Sequence, residues 1–295
     1  MYVVYVVLIY TLYIEYINRA KINRINAHRA RKWKLSAYIT YKTYNGNENA
    51  CGTTGFADRK MYVAENRTYN SVQQKAEGSD EMPKTLIAIP CMSKVDTDFM
   101  TSLLAMERLP DTHYSFLTGS LVYDSRNTIS VNAITNEYDR LLMIDSDMVF
   151  QPDTLKRLSE DMDRGIDYVS ALYFSRRPPI KPMIYKRLGI KVENGMDCAD
   201  TEIYYDYPQD ALFRVQGAGT ACVMISVKLI KAVWDVFGPA FVPLSCMGED
   251  LSFCHRVNQL GVPMYCDSRI KIGHIGNVIY NEEMYKLQQE RMNAT

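Results

Sequence analysis

The sequence predicts an α/β fold: a Rossmann-like, mainly parallel sheet flanked by helices, with an amino-terminal extension before it. Two observations carry this. From Pro83 onwards, short apolar runs alternate with stretches of helical periodicity, and the runs are continuously apolar, as strands covered on both faces must be. Acidic residues also follow directly on one of these runs, at the edge where open α/β sheets gather their ligands.

The elements read in order as follows. Thr85-Leu86-Ile87-Ala88-Ile89 is the first strand and ends at Pro90. Residues 97–108 place Phe99, Leu103, Leu104 and Met106 on one helical face. Residues 114–118 read as a second strand, and 128–137 as a helix carrying Ile129, Val131, Ala133 and Ile134. Arg140-Leu141-Leu142-Met143-Ile144 is the next strand and runs straight into Asp145-Ser146-Asp147. Pro152-Asp153-Thr154 opens a helix that ends by Gly165. Residues 167–174 and 221–225 read as further strands. After Met247-Gly248-Glu249-Asp250, Leu251, Cys254, Val257 and Leu260 recur at helical spacing, and residues 278–295 form a tail predicted to be helical.

Composition narrows the function. The 295 residues are 47% apolar and 23% charged, which excludes collagen-like and wholly disordered chains. With 34 basic against 34 acidic residues there is no global field to draw in a polyanion, and so no strong nucleic-acid signal. Residues 1–82 carry 12 Lys/Arg and 7 Asp/Glu, whereas 83–295 carry 22 and 27, which suggests two regions with different tasks. The seven cysteines include no Cys-x-x-Cys pair and several sit in apolar runs, so buried thiols in a reducing, cytoplasmic compartment are expected.

Residues 1–14 are apolar apart from Thr11, and residues 19–34 are strongly basic. An apolar run followed by a basic cluster marks a candidate membrane-surface anchor, so residues 1–35 offer a membrane contact. Their Tyr and Val richness favours instead a β-rich or loosely ordered appendage. Residues 45–82 are rich in Asn, Gly, Ser and charge, which reads as a linker with a domain boundary near Met82.

Three groups carry chemistry. Asp145 and Asp147 lie on a tight turn beyond a buried strand, and paired carboxylates there suit Mg2+ or Mn2+ shared with phosphates. Their alternative role is to cap the helix that follows. Glu249 and Asp250 stand in a first helical turn, where carboxylates ordinarily complement the helix dipole; facing a crevice, one of them could instead take a proton from an attacking hydroxyl. His274 lies between glycines in Ile272-Gly273-His274-Ile275-Gly276 and is a candidate third metal ligand, its alternative being a structural core or surface histidine.

In order, LIAIPC, YDSRNTISVNAI, LLMIDSDMVFQPDTL, GAGTACVMI, GEDLSFCHRVNQLG and IKIGHIG resemble a nucleotide-diphospho-sugar transferase of the A-type glycosyltransferase (GT-A) fold. The likeness spans roughly residues 83–277 and is nearest to the family-two group and related small phage and bacterial enzymes. It implies that Pro90 and Cys91 lie near the nucleotide, and that Asp124, Arg126 and Asn127 belong to the nucleotide site. It assigns Asp145 and Asp147 to the donor and its metal, Asp147 most directly, with His274 joining them. It makes Asp250, beside Glu249, the base of an inverting reaction. The first-strand motif lacks the Tyr or Asn common there in the family, and residues 1–82 have no counterpart.

The implied activity is transfer of a sugar from a nucleoside-diphosphate sugar to an acceptor hydroxyl on a glycan, a protein or a modified nucleotide, with Mn2+ or Mg2+. The alternatives are a sugar-phosphate nucleotidyltransferase, whose Gly-rich signature after the first strand is missing from Pro90-Cys91-Met92-Ser93-Lys94, and a non-catalytic nucleotide- or carbohydrate-binding module. Two further segments could meet the donor: the basic loop Ser175-Arg176-Arg177-Pro178-Pro179, whose alternative is a solvated loop, and the small-residue run Gly217-Ala218-Gly219-Thr220, whose alternative is a plain turn before the 221–225 strand.

Overall fold

The computed structural model describes residues 82–119, 121–276 and 279–293. The expectations for residues 1–35 and for the linker up to Met82 fall outside the described residues. Among the described residues, no helix is long and apolar enough to cross a membrane.

The chain begins with β1 (Thr85–Cys91), α1 (Thr97–Ala105), β2 (Thr112–Thr118), α2 (Val122–Thr135) and β3 (Arg140–Ile144). It continues through the short β4 (Met148–Val149), α3 (Thr154–Met162) and β5 (Tyr168–Leu172). A hairpin follows, β6 (Ile184–Glu193) and β7 (Met196–Ile203), then β8 (Leu212–Val215), β9 (Gly217–Ala218), β10 (Cys222–Ser226) and α4 (Val227–Phe237). The last elements are α5 (Glu249–Gln259), β11 (Met264–Lys271), β12 (Gly273–Ile275), β13 (Ile279–Tyr280) and α6 (Glu282–Asn293).

Seven strands make the central sheet, in the order β2-β1-β3-β10-β5-β11-β8. Five run in one direction; β10, between β3 and β5, and β8, at the edge, run against them. The sheet is therefore mainly parallel and helices cover both faces. Strand periodicity sends neighbouring residues to opposite faces. In β1, Leu86 and Ala88 enter one core and Ile87 and Ile89 the other; in β3, Leu141 and Met143 part in the same way from Leu142 and Ile144. Ile129 of α2, Leu229 and Val233 of α4 and Phe253 of α5 fill the first core, while Phe99 of α1 and Leu155 and Leu158 of α3 fill the second. Two-sided burial is why these strands carry no polar alternation.

Three differences from the sequence expectations have physical causes. Helix α2 starts at Val122, not at 128, because the buried face of its first turns is polar, Ser125 and Arg126, and escapes a search for apolar periodicity. The β6–β7 hairpin turns through Asn194-Gly195, both at positive φ (51° and 76°), the conformation an Asn-Gly pair supplies most readily. A small sheet, β13-β12-β4, pairs strands too short to carry a pattern. The six described cysteines are all free, and Cys222, Cys254 and Cys266 are buried.

Candidate active site

The carboxyl ends of β1, β3 and β5, the start of β10 and the amino end of α5 meet at one edge of the sheet. Arg126 is the centre of this region. It is 3% exposed, and its Nη2 donates to both oxygens of Asp145 at 2.9 and 3.2 Å. Its Nη1 lies 3.2 Å from Glu249 Oε1, while its buried Nε has no hydrogen-bond partner among the described residues. Burial works against the guanidinium's charge, but the carboxylates of Asp145, Glu249 and Asp250 outweigh it. One side chain thus ties α2 to the end of β3 and the start of α5.

Neither carboxylate of the Asp145/Asp147 pair caps the following helix, since Asp153 holds that position. The Asp145 backbone N–H donates to the Ala221 carbonyl at 2.9 Å, which keeps the turn against β10. Burial raises the Asp145 carboxyl above its ordinary range and Asp147 adds to this, against the pull of Arg126.

Asp147 faces the other way, toward β12. The β4–β12 register sets His274 opposite Met148 and Gly273 opposite Val149, and the Ile275 N–H donates to the Asp147 carbonyl at 2.7 Å. Glycine at 273 lets the strands close up: a Cβ there would stand 2.6 Å from Cγ2 of the exposed Ile279, whose side chain would have to shift. His274 Nδ1 is 3.0 Å from the Phe174 carbonyl, which can only accept, so Nδ1 carries the proton. In the neutral ring Nε2 is then a bare lone pair, 3.4 Å from Asp147 Oδ2. Two acceptors facing each other need a cation between them, a proton or a metal. A carbonyl that fixes the tautomer from behind is also the usual support of a metal-binding histidine. Asp147 Oδ2 further takes Arg176 Nη1 at 2.5 Å. Burial alone would raise the Asp147 carboxyl, but His274 and Arg176 together bring it below its ordinary range.

The structure therefore brings Asp147 and His274 together and turns Asp145 to Arg126. Among the described residues, no three His, Cys, Asp or Glu side chains stand close enough to share a metal ion. The donor set nonetheless fits a borderline or hard divalent cation: one carboxylate oxygen and one oriented imidazole nitrogen, both partly exposed.

Glu249 and Asp250 open α5 after the N-cap Gly248. Glu249 faces Arg126, whereas Asp250 has no ion-pair partner among the described residues and its Oδ1 accepts the Leu251 N–H at 2.7 Å. Burial, with Glu249 beside it, raises the Asp250 carboxyl above its ordinary range. Tyr173, just beyond β5, completes the cluster. Its hydroxyl accepts the Ala221 N–H at 3.4 Å, and a Cβ on Gly219 would lie 1.8 Å from that hydroxyl and 3.5 Å from Asp250 Oδ2. Gly219 thus leaves the space in which Tyr173 and Asp250 approach each other.

The remaining sequence candidates sit around this core. Pro90 is buried and Cys91 half-buried at the end of β1. Asp124 is exposed in the first turn of α2, and Asn127 Oδ1 accepts the Phe241 N–H at 2.9 Å. Sequence reading placed Tyr173 inside the strand of residues 167–174 and gave it no role; its position near the carboxyl end of that strand was the available signal.

No family model matches the chain, and no curated protein matches it. Among solved structures, the A197 protein from STIV aligns at 20% identity over 65% of this chain and 86% of its own, with a TM-score of 0.48. A structure of GalNAc-T7 with UDP, GalNAc and Mn2+ aligns at 9% identity over 68% of this chain, with a TM-score of 0.44. This chain covers 45% of that protein's length. Similarities at these scores carry no argument about this protein's activity.

Proposed function

We propose that the protein is a metal-dependent glycosyltransferase of GT-A type, moving a sugar from a nucleoside-diphosphate sugar to an acceptor hydroxyl. The supporting observation is the facing pair Asp147 Oδ2 and His274 Nε2, two acceptors 3.4 Å apart beside an arginine-ordered acidic cluster. Asp147 and His274 are the residues that would hold Mn2+ or Mg2+. When bound, such an ion neutralises the charge that builds on a departing diphosphate.

The other roles follow from placement. Arg126 fixes Asp145 and Glu249, which makes it a positioning residue; its buried guanidinium is committed to those carboxylates and not presented to a nucleotide. Glu249 gives its charge to Arg126, leaving Asp250 to act as base. A carboxylate whose proton affinity is raised by burial is better matched to taking a proton from a hydroxyl, which contributes about 10²–10⁴-fold in rate. Tyr173 and Gly219 shape the floor beside it.

Titration calorimetry with UDP-, GDP- and TDP-sugars, with and without Mn2+, tests this directly. Metal-dependent binding followed by release of nucleoside diphosphate is expected, and Asp147→Ala is expected to abolish both. Binding indifferent to Mn2+, with no diphosphate released, would contradict the proposal.

A further inference from the structure

Asp147 Oδ2 faces two side chains at once: the His274 imidazole on one side and the Arg176 guanidinium on the other. Arg176 stands on the loop between β5 and β6, whose backbone is pinned. Phe174 bridges Pro182, the Ser175 N–H donates to the Lys181 carbonyl at 2.8 Å, and Gln288 of α6 holds both the N–H and the carbonyl of Ile180 at 2.8 and 3.2 Å. The Arg176 side chain is free of such restraint. It is 49% exposed, and Asp147 is its single ion-pair partner among the described residues. The side chain can therefore leave while the loop stays.

Resting on the metal-dependent reading above, we propose that Arg176 is a built-in counter-cation: it occupies Asp147 while the seat beside His274 lacks a divalent ion, and moves to the diphosphate of the donor when that ion binds. The two states disfavour each other because a guanidinium and a divalent ion on one carboxylate oxygen are like charges sharing a ligand. The destination follows from chemistry. A released guanidinium at the rim of the site offers a planar fork that matches two phosphate oxygens, whereas a monophosphate held further off would gain little. Arg176 thus couples occupation of the metal seat to donor capture, so that neither a bare Asp147 nor an unpaired arginine is left waiting.

Electron paramagnetic resonance of free Mn2+ measures the first half, on the full chain, its Arg176→Ala and Asp147→Asn variants, without nucleotide. Removing a half-exposed competing cation is expected to tighten Mn2+ binding roughly three- to tenfold in Arg176→Ala. Titration of UDP and UMP in saturating Mn2+ measures the second half. The advantage of UDP over UMP is expected to shrink roughly tenfold in the same variant. Unchanged or weaker Mn2+ binding in Arg176→Ala would overturn the counter-cation, and an unchanged UDP advantage would overturn the transfer to diphosphate. The underlying metal site fails separately: Asp147→Asn would then bind Mn2+ as well as the wild type, or neither the wild type nor Arg176→Ala would bind it.

Discussion

Gly219→Ala places a methyl group where the site has no room. The Gly219 N–H donates to the Met183 carbonyl at 3.0 Å, so the backbone is held. The added Cβ would meet Tyr173 Oη at 1.8 Å and Cζ at 3.0 Å. Tyr173 is 4% exposed and packs edge-on to His274, with ring centroids 6.1 Å apart, so the ring has little retreat. Overpacking of this kind costs about 1–3 kcal/mol, and driving the hydroxyl off the Ala221 N–H adds about 1 kcal/mol. A loss of about 2–4 kcal/mol is expected by urea denaturation. Tyr173→Phe removes the 1.8 Å clash and leaves the 3.0 Å contact, so in that background the same glycine substitution should cost only about 1 kcal/mol. The four proteins form a double-mutant cycle with an expected coupling of about 1–3 kcal/mol. Additivity within about 0.5 kcal/mol would refute the placement of the Tyr173 hydroxyl over Gly219.

Other perturbations separate the remaining roles. Asp250→Asn should lower turnover about 10²–10⁴-fold while UDP binding stays within about twofold by calorimetry, since Asp250 is assigned to the proton and not to the nucleotide. Arg126→Met should destabilise the fold by about 3–5 kcal/mol in urea, because it strands Asp145 and Glu249 without their counter-charge; a loss under 1 kcal/mol would show that the cluster does not depend on it. Away from the site, burial and a proton-sharing contact with Asp267 push the Asp161 carboxyl up to about 6. A carboxyl with a raised folded pKa binds its proton more tightly when folded, so its contribution favours folding at low pH and is lost as pH rises through about 6. Compared with Asp161→Asn, the wild type should lose about 2 kcal/mol of stability between pH 4.5 and pH 7, read from urea midpoints at both.

What could be read from the sequence follows the physics of burial. Strand β3 was legible with its exact bounds because both its faces are buried, so apolar residues run unbroken from Leu141 to Ile144 and the first carboxylate marks the edge. Helix α5 was legible because Cys254 and Val257 reach the core at helical spacing. The site was legible as residue types and less so as partnerships. The family likeness placed Arg126 at the nucleotide, but burial commits it to Asp145 and Glu249, a pairing across 19 and 123 positions that no local pattern encodes. Asp147 and His274 meet only through the β4–β12 pairing, and β4 is two residues long. Gly219 looked like an ordinary turn glycine, since the tyrosine that requires it lies 46 positions away. Asn194-Gly195 was a hairpin signal in plain view, and it went unread because the flanking strands carry charge on their exposed positions.

Anomalous diffraction at the manganese edge, from crystals soaked in Mn2+ and UDP, tests the central assignment most directly. A peak between Asp147 Oδ2 and His274 Nε2 is expected, with Arg176 withdrawn from the carboxylate. Manganese bound elsewhere, or the imidazole and carboxylate still facing each other across an empty gap at saturating metal, would contradict it.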